Sequence, residues 1–409
     1  MIGSRSVSEG WTYVASDVVP QASLAHASRH DNPGRNGLKL MRHNHAMKLG
    51  LHTRRWVFGV SLCLSSVTLN VPVHSEEWGK WERVAGIPDR MGVAGPIAGT
   101  DGEVLIVAGG ANFPDAPPWQ GGKKVWHDRA YVLNDLYGQW QDAGTLARPI
   151  AYAVSLSIPD GLGIDPGVAY FGGSDADRHY AKGWLLRWRD GGLEKKPLPS
   201  LPRVCAQGCG ALVGDTIYIA GGIETPDATV AMHQFWALEL DQQPLVWREL
   251  EAWPGPARML SVAASRDGAF YLCGGISLSA AGDGRPIRAY LRDGYRYRPN
   301  EGWSRIAEMP RAAAAAPSPA PGGDPSHFVI LGGDDGRLVD FRPLERHPGF
   351  PRSILSYDVR RDCWEQVGEQ PVSRVTTSAV FWRNRYIIPS GEVGPGVRTA
   401  DVWSMAPKP

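Results

Sequence analysis

The sequence predicts an all-β chain in which residues 76–409 close into a six-bladed β-propeller. Three observations lead there. An apolar, β-branched or aromatic run ending in glycine recurs six times, and a Trp followed by Pro and Arg recurs in the same register. The sixth copy of the second mark lies at the opposite end of the region from the sixth copy of the first.

The glycine-ended runs are 104–110 (VLIVAGG), 168–173 (VAYFGG), 216–222 (TIYIAGG), 269–275 (AFYLCGG), 327–333 (HFVILGG) and 385–391 (RYIIPSG). A period of roughly 50–60 residues with a diglycine resembles the kelch repeat, in which each copy is one four-stranded blade. Glycine is expected where a strand turns away close to the axis, because no side chain fits there and a positive φ is needed. Ser390 replaces the first glycine of the sixth copy.

The second mark runs Trp140…Arg148-Pro149, Trp188…Pro202-Arg203, Trp247…Pro254…Arg258, Trp303…Pro310-Arg311 and Trp364…Pro371…Arg374. Its sixth copy, Trp81…Pro88-Asp89-Arg90, comes first in the region. Residues 78–84 are therefore expected to be the outer strand of the last blade, completing 386–391 and 399–405 and leaving no open edge. The tryptophans read as packing between blades. With strands a to d running from axis to rim, the b–c and d–a loops open on one face, and chemistry is expected there.

Composition excludes some partners. Lys and Arg total 43 against 42 Asp and Glu, a net charge of +1, which supports neither nucleic acid nor an acidic membrane surface as partner. Residues 1–47 are rich in His, Asn, Arg and Ser without apolar periodicity, and are read as a leader of no assigned fold or a mis-assigned start. Lys48, Arg54 and Arg55 precede an uncharged stretch from Trp56 to Val73, then Val73-His74-Ser75. Residues 48–75 thus read as an export signal, with a periplasmic or secreted chain starting at Glu76 and no membrane contact after cleavage. Ser61, Ser65, Ser66, Thr68 and Asn70 make this segment a poor membrane anchor. Of the five cysteines Cys63 leaves with the signal. Cys205 and Cys209, taken to share a strand, are too far apart to bridge, and no His/Cys spacing suits zinc. No metal and no cofactor are expected.

The loop after the sixth run, Ser390-Gly391-Glu392-Val393-Gly394-Pro395-Gly396-Val397-Arg398-Thr399, carries the sharpest chemical signal. Gly394-Pro395-Gly396 is a turn lying symmetrically between Glu392 and Arg398, so the two side chains can meet across a hairpin. The carboxylate could move protons while the guanidinium grips a substrate carboxylate; a structural ion pair holding the turn explains the pattern equally well. The first loop mixes Asn112, Phe113, Trp119, Lys123, Lys124, Trp126 and His127, rings and polar groups suited to a sugar. His127-Asp128 reads as a loop hydrogen bond. The fifth loop, 334–351, is long and basic, with Arg337, Arg342, Arg346 and His347, and reads as a lid. Arg90, Arg148, Arg203, Arg258, Arg311 and Arg374 follow the outer strands; most should pair within the blades, while Arg90 and Arg148, with Asn112, are the expected substrate contacts.

At these residues the chain resembles the N-acetylneuraminate epimerases, or sialic acid mutarotases. Gly391-Glu392-x-x-Pro395-Gly396-x-Arg398-Thr399 matches their GE..PG.RT. Further likeness lies in Gly92-Val93-Ala94-Gly95, in 104–110 and in Ala151-Tyr152-Ala153-Val154-Ser155-Leu156. The order is rotated, as in a cyclically permuted branch, and the first-loop GGANFP (109–114) departs from the enterobacterial loop. The resemblance implies a cofactor-free isomerase that interconverts the anomers of N-acetylneuraminate or a related sugar acid. It assigns Glu392 as proton acceptor and Arg398 as its companion. A non-catalytic kelch propeller binding a glycan or protein is the competing reading, since fold alone never implies catalysis. A sialidase is rejected because only Ser265-Arg266-Asp267-Gly268-Ala269-Phe270 loosely echoes an Asp-box.

Overall fold

The computed structural model describes residues 79–407, all within one unit. The leader, the export signal, Cys63, Glu76 and Trp78 lie outside the described residues. No helix among the described residues is long and apolar enough to cross a membrane.

Six antiparallel blades form a β-propeller. The first blade is Ile97–Asp101, Val104–Ala108, Arg129–Leu133 and Gln141–Thr145 from axis to rim. The second runs from Val154–Ile158 to Gly192–Leu198, the third from Cys209–Val213 to Arg248–Leu250, and the fourth from Val262–Arg266 to Gly302–Ile306. In the sixth, Val380–Trp382, Arg385–Pro389 and Val402–Met405 are completed by Trp81–Val84 from the other end of the region. Trp81 pairs with Met405 and Val84 with Val402, so the expected seam is where the ring closes.

The fifth blade differs from the four-strand expectation. Its strands are His327–Leu331, Ser353–Asp358 and Cys363–Glu369, with no regular inner strand. Pro317, Pro319 and Pro321 occupy that place, and proline cannot donate to a ladder. Irregular bonds stand in: Val329 N–H donates to Pro321 O (2.8 Å) and Ala320 N–H to Ala263 O of the fourth blade (2.7 Å).

Alternating apolar residues on both faces of each blade pack against the neighbouring blade, giving clusters that each span two blades, such as Leu156, Phe171 and Leu185 with Ile219 and Trp236. The tryptophans stitch the blades as expected. Trp140 Nε1 donates to Ala85 O, Trp247 to Pro199 O, Trp303 to Glu251 O and Trp364 to Ala307 O, each reaching the backbone that leaves the preceding blade. Trp188 breaks the pattern because it lies on the third strand of its blade, Gly183–Arg189. There the buried Asp101 carboxylate of the first blade accepts from Trp188 N–H and from Arg189 (both 2.6 Å). Cys205 precedes the strand Cys209–Val213 rather than sharing it; all four described cysteines are free, and burial pushes the Cys205 and Cys209 thiols up to about 12.

A circle of backbone hydrogen bonds closes around the axis. Gly95 N–H donates to Thr376 O, Thr376 to Ala315, Ala315 to Leu260, Leu260 to Gln207, Gln207 to Tyr152 and Tyr152 to Gly95, at 2.7–3.0 Å. Every member is left-handed, with φ between 53° and 62°. For a residue other than glycine that conformation costs on the order of 1 kcal/mol, about what one such hydrogen bond contributes. Local preference therefore does not specify the circle; the packing of six blades does.

Candidate active site

Each blade contributes the same local device on one face. The residue just before the circle bridges the residue just after the glycine-ended run: Ala94 with Ala111, Ala151 with Ser174, Ala206 with Ile223, Met259 with Ile276, Ala314 with Asp334, and Val375 with Glu392. In five runs both glycines have positive φ, and in the sixth Ser390 (57°) precedes Gly391 (95°). A Cβ on Gly275 would lie 2.3 Å from Ser261 Oγ and 2.7 Å from Met259 O, which shows why the second position stays glycine. Ser390 is buried, and its hydroxyl accepts from Val93 N–H (2.7 Å) while lying 2.9 Å from Val93 O and 2.7 Å from Thr399 O. The serine thus fastens the sixth hairpin to the seam of the ring.

Above the circle lies a cavity of about 670 Å³, within the range of small-molecule sites. Tyr152, Gln207, Leu260, Ala315 and Thr376 line it from below and also line the narrow axial channel beneath, so the circle separates the two. The walls come from the loops that follow the glycine-ended runs: Phe113, Trp119 and Lys124 from the first, Arg342 and Phe350 from the fifth, Glu392 and Arg398 from the sixth. These b–c loops and the d–a segments share a face.

Glu392–Gly394 and Val397–Arg398 form the two-stranded hairpin read from the turn signal, with Glu392 directly opposite Arg398. Arg398 Nη2 meets Glu392 Oε1 at 3.0 Å, with side-chain exposures of 4% and 14%. The guanidinium also lies over the Phe113 ring, 4.6 Å from its centre. Its Nε and Nη1 are buried and have no hydrogen-bond partner among the described residues. Two donors of a buried cation therefore remain for an anionic or hydroxylated ligand. Lys124 Nζ sits above the Trp126 ring (5.2 Å) and the Tyr152 ring (5.4 Å) of the floor.

Some expected contacts are placed elsewhere. Asn112 is buried and does not line the cavity, its amide donating to Gly92 O (2.9 Å) and its oxygen 2.8 Å from His127 Nε2, so its polar atoms are taken up by the protein. Arg90 and Arg148 are exposed and outside the lining; Arg148 stacks on Tyr180, 4.4 Å from the ring centre. Their expected contact with substrate is corrected on this geometry: residues further along the same outer-strand segments, Tyr152 and Gln207 among them, reach the cavity, whereas the arginines that precede them do not line it. Other arginines of that set pair within the fold as expected: Arg203 with Glu224 (3.4 Å), Arg258 with Asp293 (2.7 Å), and Arg311 with Ser353 (2.8 Å).

Sequence reasoning passed over Asp334, Tyr290 and Arg288. Asp334 follows the fifth diglycine in the register that Glu392 holds in the sixth, a signal that was available. Tyr290 and Arg288 stand on an added hairpin, Ile276–Ala280 with Pro286–Tyr290, and line the cavity with Asp334. Tyr290 Oη donates to Asp334 Oδ2 (3.0 Å) and Gly336 N–H to Oδ1 (2.9 Å). Burial raises the Asp334 carboxyl above the usual range, against the opposing effect of those two donors.

Comparison with known proteins adds an independent finding. Residues 198–342 match the family described as N-acetylneuraminate epimerase. The chain is 28% identical over 228 residues to the N-acetylneuraminate epimerase of Haemophilus influenzae (strain 86-028NP), covering 50% of this chain and 57% of that protein. It is 26% identical over 231 residues to that of Yersinia enterocolitica, covering 50% and 56%. For that of Pasteurella multocida it is 28% over 226 residues, covering 49% and 56%. The matches thus span little more than half the length of these relatives. The matched residues 198–342 carry Gln207, Leu260, Tyr290 and Asp334 of the cavity, while Glu392 and Arg398 lie beyond them. Over about half its length, this chain is similar to N-acetylneuraminate epimerases.

Proposed function

We propose that this propeller is an exported mutarotase that interconverts the anomers of N-acetylneuraminate or a closely related sugar acid. The observation that carries the reading is the Glu392–Arg398 pair at the cavity wall, with Arg398 Nε and Nη1 left without a hydrogen-bond partner among the described residues. An anionic or hydroxylated ligand can take hydrogen bonds from those two nitrogens. Lys124, Arg288 and Arg342 add positive charge to the lining, and Phe113, Trp119 and Tyr290 add ring faces for a pyranose.

Ring opening of such a sugar removes the anomeric hydroxyl proton and protonates the ring oxygen; rotation and reclosure then deliver either anomer. Glu392 takes the hydroxyl proton while Arg398 holds the carboxylate. General acid–base help of ~10²–10⁴-fold suffices for a reaction that already proceeds in water. The partial collinear match to the relatives fits a rotated blade order, because in a closed ring only the position of the cut moves. The motif at residues 48–75 supports export.

The test is anomer-exchange NMR of the purified protein with N-acetylneuraminate beside neutral hexoses. Acceleration confined to the sugar acid, and lost in Glu392→Gln, is expected. Exchange at the buffer rate with wild-type protein, or unchanged exchange in Glu392→Gln, sinks the reading.

A further inference from the structure

Two carboxylates stand at equivalent places in adjacent blades. The position just after the glycine-ended run is Ala111, Ser174, Ile223 and Ile276 in the first four blades, then Asp334 in the fifth and Glu392 in the sixth. Their bridge partners, Ala314 and Val375, directly precede Ala315 and Thr376, which are hydrogen-bonded neighbours in the axial circle (2.7 Å). Both carboxylates line the same cavity. Their surroundings differ: Glu392 is ion-paired to Arg398, whereas Asp334 is held by the Tyr290 hydroxyl and the Gly336 N–H.

We propose that Asp334, positioned by Tyr290, is the second acid–base group of the cavity, giving the ring oxygen its proton while Glu392 accepts the proton of the anomeric hydroxyl. This rests on the mutarotase reading. As the bond between the anomeric carbon and the ring oxygen breaks, its electron pair passes to the ring oxygen, which takes the Asp334 proton. The anomeric oxygen becomes a carbonyl as its own proton passes to Glu392. On reclosure the former ring hydroxyl attacks either face of that carbonyl and returns its proton to Asp334, while Glu392 reprotonates the carbonyl oxygen. Atoms and charges balance, and the protein ends as it began.

Burial suits Asp334 to the acid half of this exchange, because it keeps the proton to higher pH than an exposed carboxyl. The groups around it are of both signs. Asp335, paired with Arg337 (3.5 Å), and His347 flank it on its own loop; Tyr290 and Arg288 come from the added hairpin. Arg342, Glu345, Glu392 and Arg398 share the cavity. Gly336 has φ 76°, and a Cβ there would lie 2.4 Å from the Tyr290 ring, so the loop lies directly on the tyrosine that orients the acid.

The experiment is anomer exchange of N-acetylneuraminate followed by NMR across a pH series, with wild type, Asp334→Asn, Tyr290→Phe and Glu392→Gln, each checked for folding by thermal melting. Wild-type rate should fall as pH rises through the Asp334 pKa. Asp334→Asn should lower kcat by ~10²–10⁴-fold with KM little changed, and abolish that alkaline limb. Tyr290→Phe should stay active but move the limb to higher pH, since one donor to the carboxylate is gone. If Asp334→Asn fails to fold, the Tyr290→Phe shift decides. Full kcat in folded Asp334→Asn, or an unmoved limb in Tyr290→Phe, overturns this role while leaving the mutarotase reading intact. Wild type at the buffer rate overturns both.

Discussion

Arg258 and Arg398 are both buried arginines paired with a carboxylate, and they differ in what remains unsatisfied. Arg258 is fully buried, and every nitrogen is used: Nε donates to Pro256 O, Nη1 to Gly274 O and Asp293 Oδ1, and Nη2 to Asp293 Oδ2. Arg398 spends one nitrogen on Glu392 and, beside a cavity, keeps two with no hydrogen-bond partner among the described residues. A saturated pair holds a fold together, and an unsaturated one at a cavity is available to a ligand. From sequence alone the ion pair across the sixth hairpin could be of either kind; the count of occupied donors favours the second.

The largest expected effect falls on the saturated pair. Arg258→Met should cost about 3–5 kcal/mol of stability, because the half-buried Asp293 loses its counter-charge, and a denaturant melt would show it. Arg398→Met also strips Glu392 of its counter-charge but gives up one contact where Arg258→Met gives up four, so it should destabilise less. It should weaken binding of N-acetylneuraminate by about 1.5–3 kcal/mol, read by calorimetry. Equal loss of stability in the two variants would erase the distinction between the pairs. Ser390→Ala should cost about 1–2 kcal/mol by leaving the buried Val93 N–H without its acceptor, measurable as a lowered Tm.

The smallest effect is one of sign. Burial alone would raise Asp293, but the hydrogen bonds and charge of Arg258 overcome it and hold the carboxyl below the usual range. At Asp334 burial outweighs the hydrogen bonds from Gly336 and Tyr290 and raises the carboxyl. A lowered folded pKa contributes stability above the unfolded value that is lost as pH falls through the folded pKa. A raised one contributes stability in acid that is lost as pH rises through the folded pKa. Asp293→Asn should therefore destabilise at neutral pH, with the deficit vanishing in acid. Asp334→Asn should stabilise at neutral pH, with the gain vanishing in acid. Melting both variants from pH 3 to 8 checks the opposed trends. A neutral-pH gain in Asp334→Asn would fit a site that gives up stability for chemistry.

Much of the architecture was legible because propeller repeats are local. Each glycine-ended run needs only its own positive φ values, and Trp81 announces the seam because its Pro-Asp-Arg sequel lies out of place. The fifth blade departed from the pattern where Pro317, Pro319 and Pro321 remove the N–H groups of an inner strand. The Glu392–Arg398 hairpin was legible for the same reason: a Gly-Pro-Gly turn sets which residues oppose one another.

What the sequence by itself determined, then, is everything encoded within one repeat: strands, turns, the seam and one facing pair of charges. What only the tertiary structure decided is how repeats meet. The axial circle joins residues of six blades whose left-handed backbone no local signal demands. Asn112, Arg90 and Arg148 look like ligand contacts in the chain and lie off the cavity in the fold. Asp334 gains its raised pKa, and its place one blade from Glu392, only when burial and ring closure bring the fifth and sixth blades together. Short-range preferences set each blade, but burial and charge at the axis are properties of the closed ring.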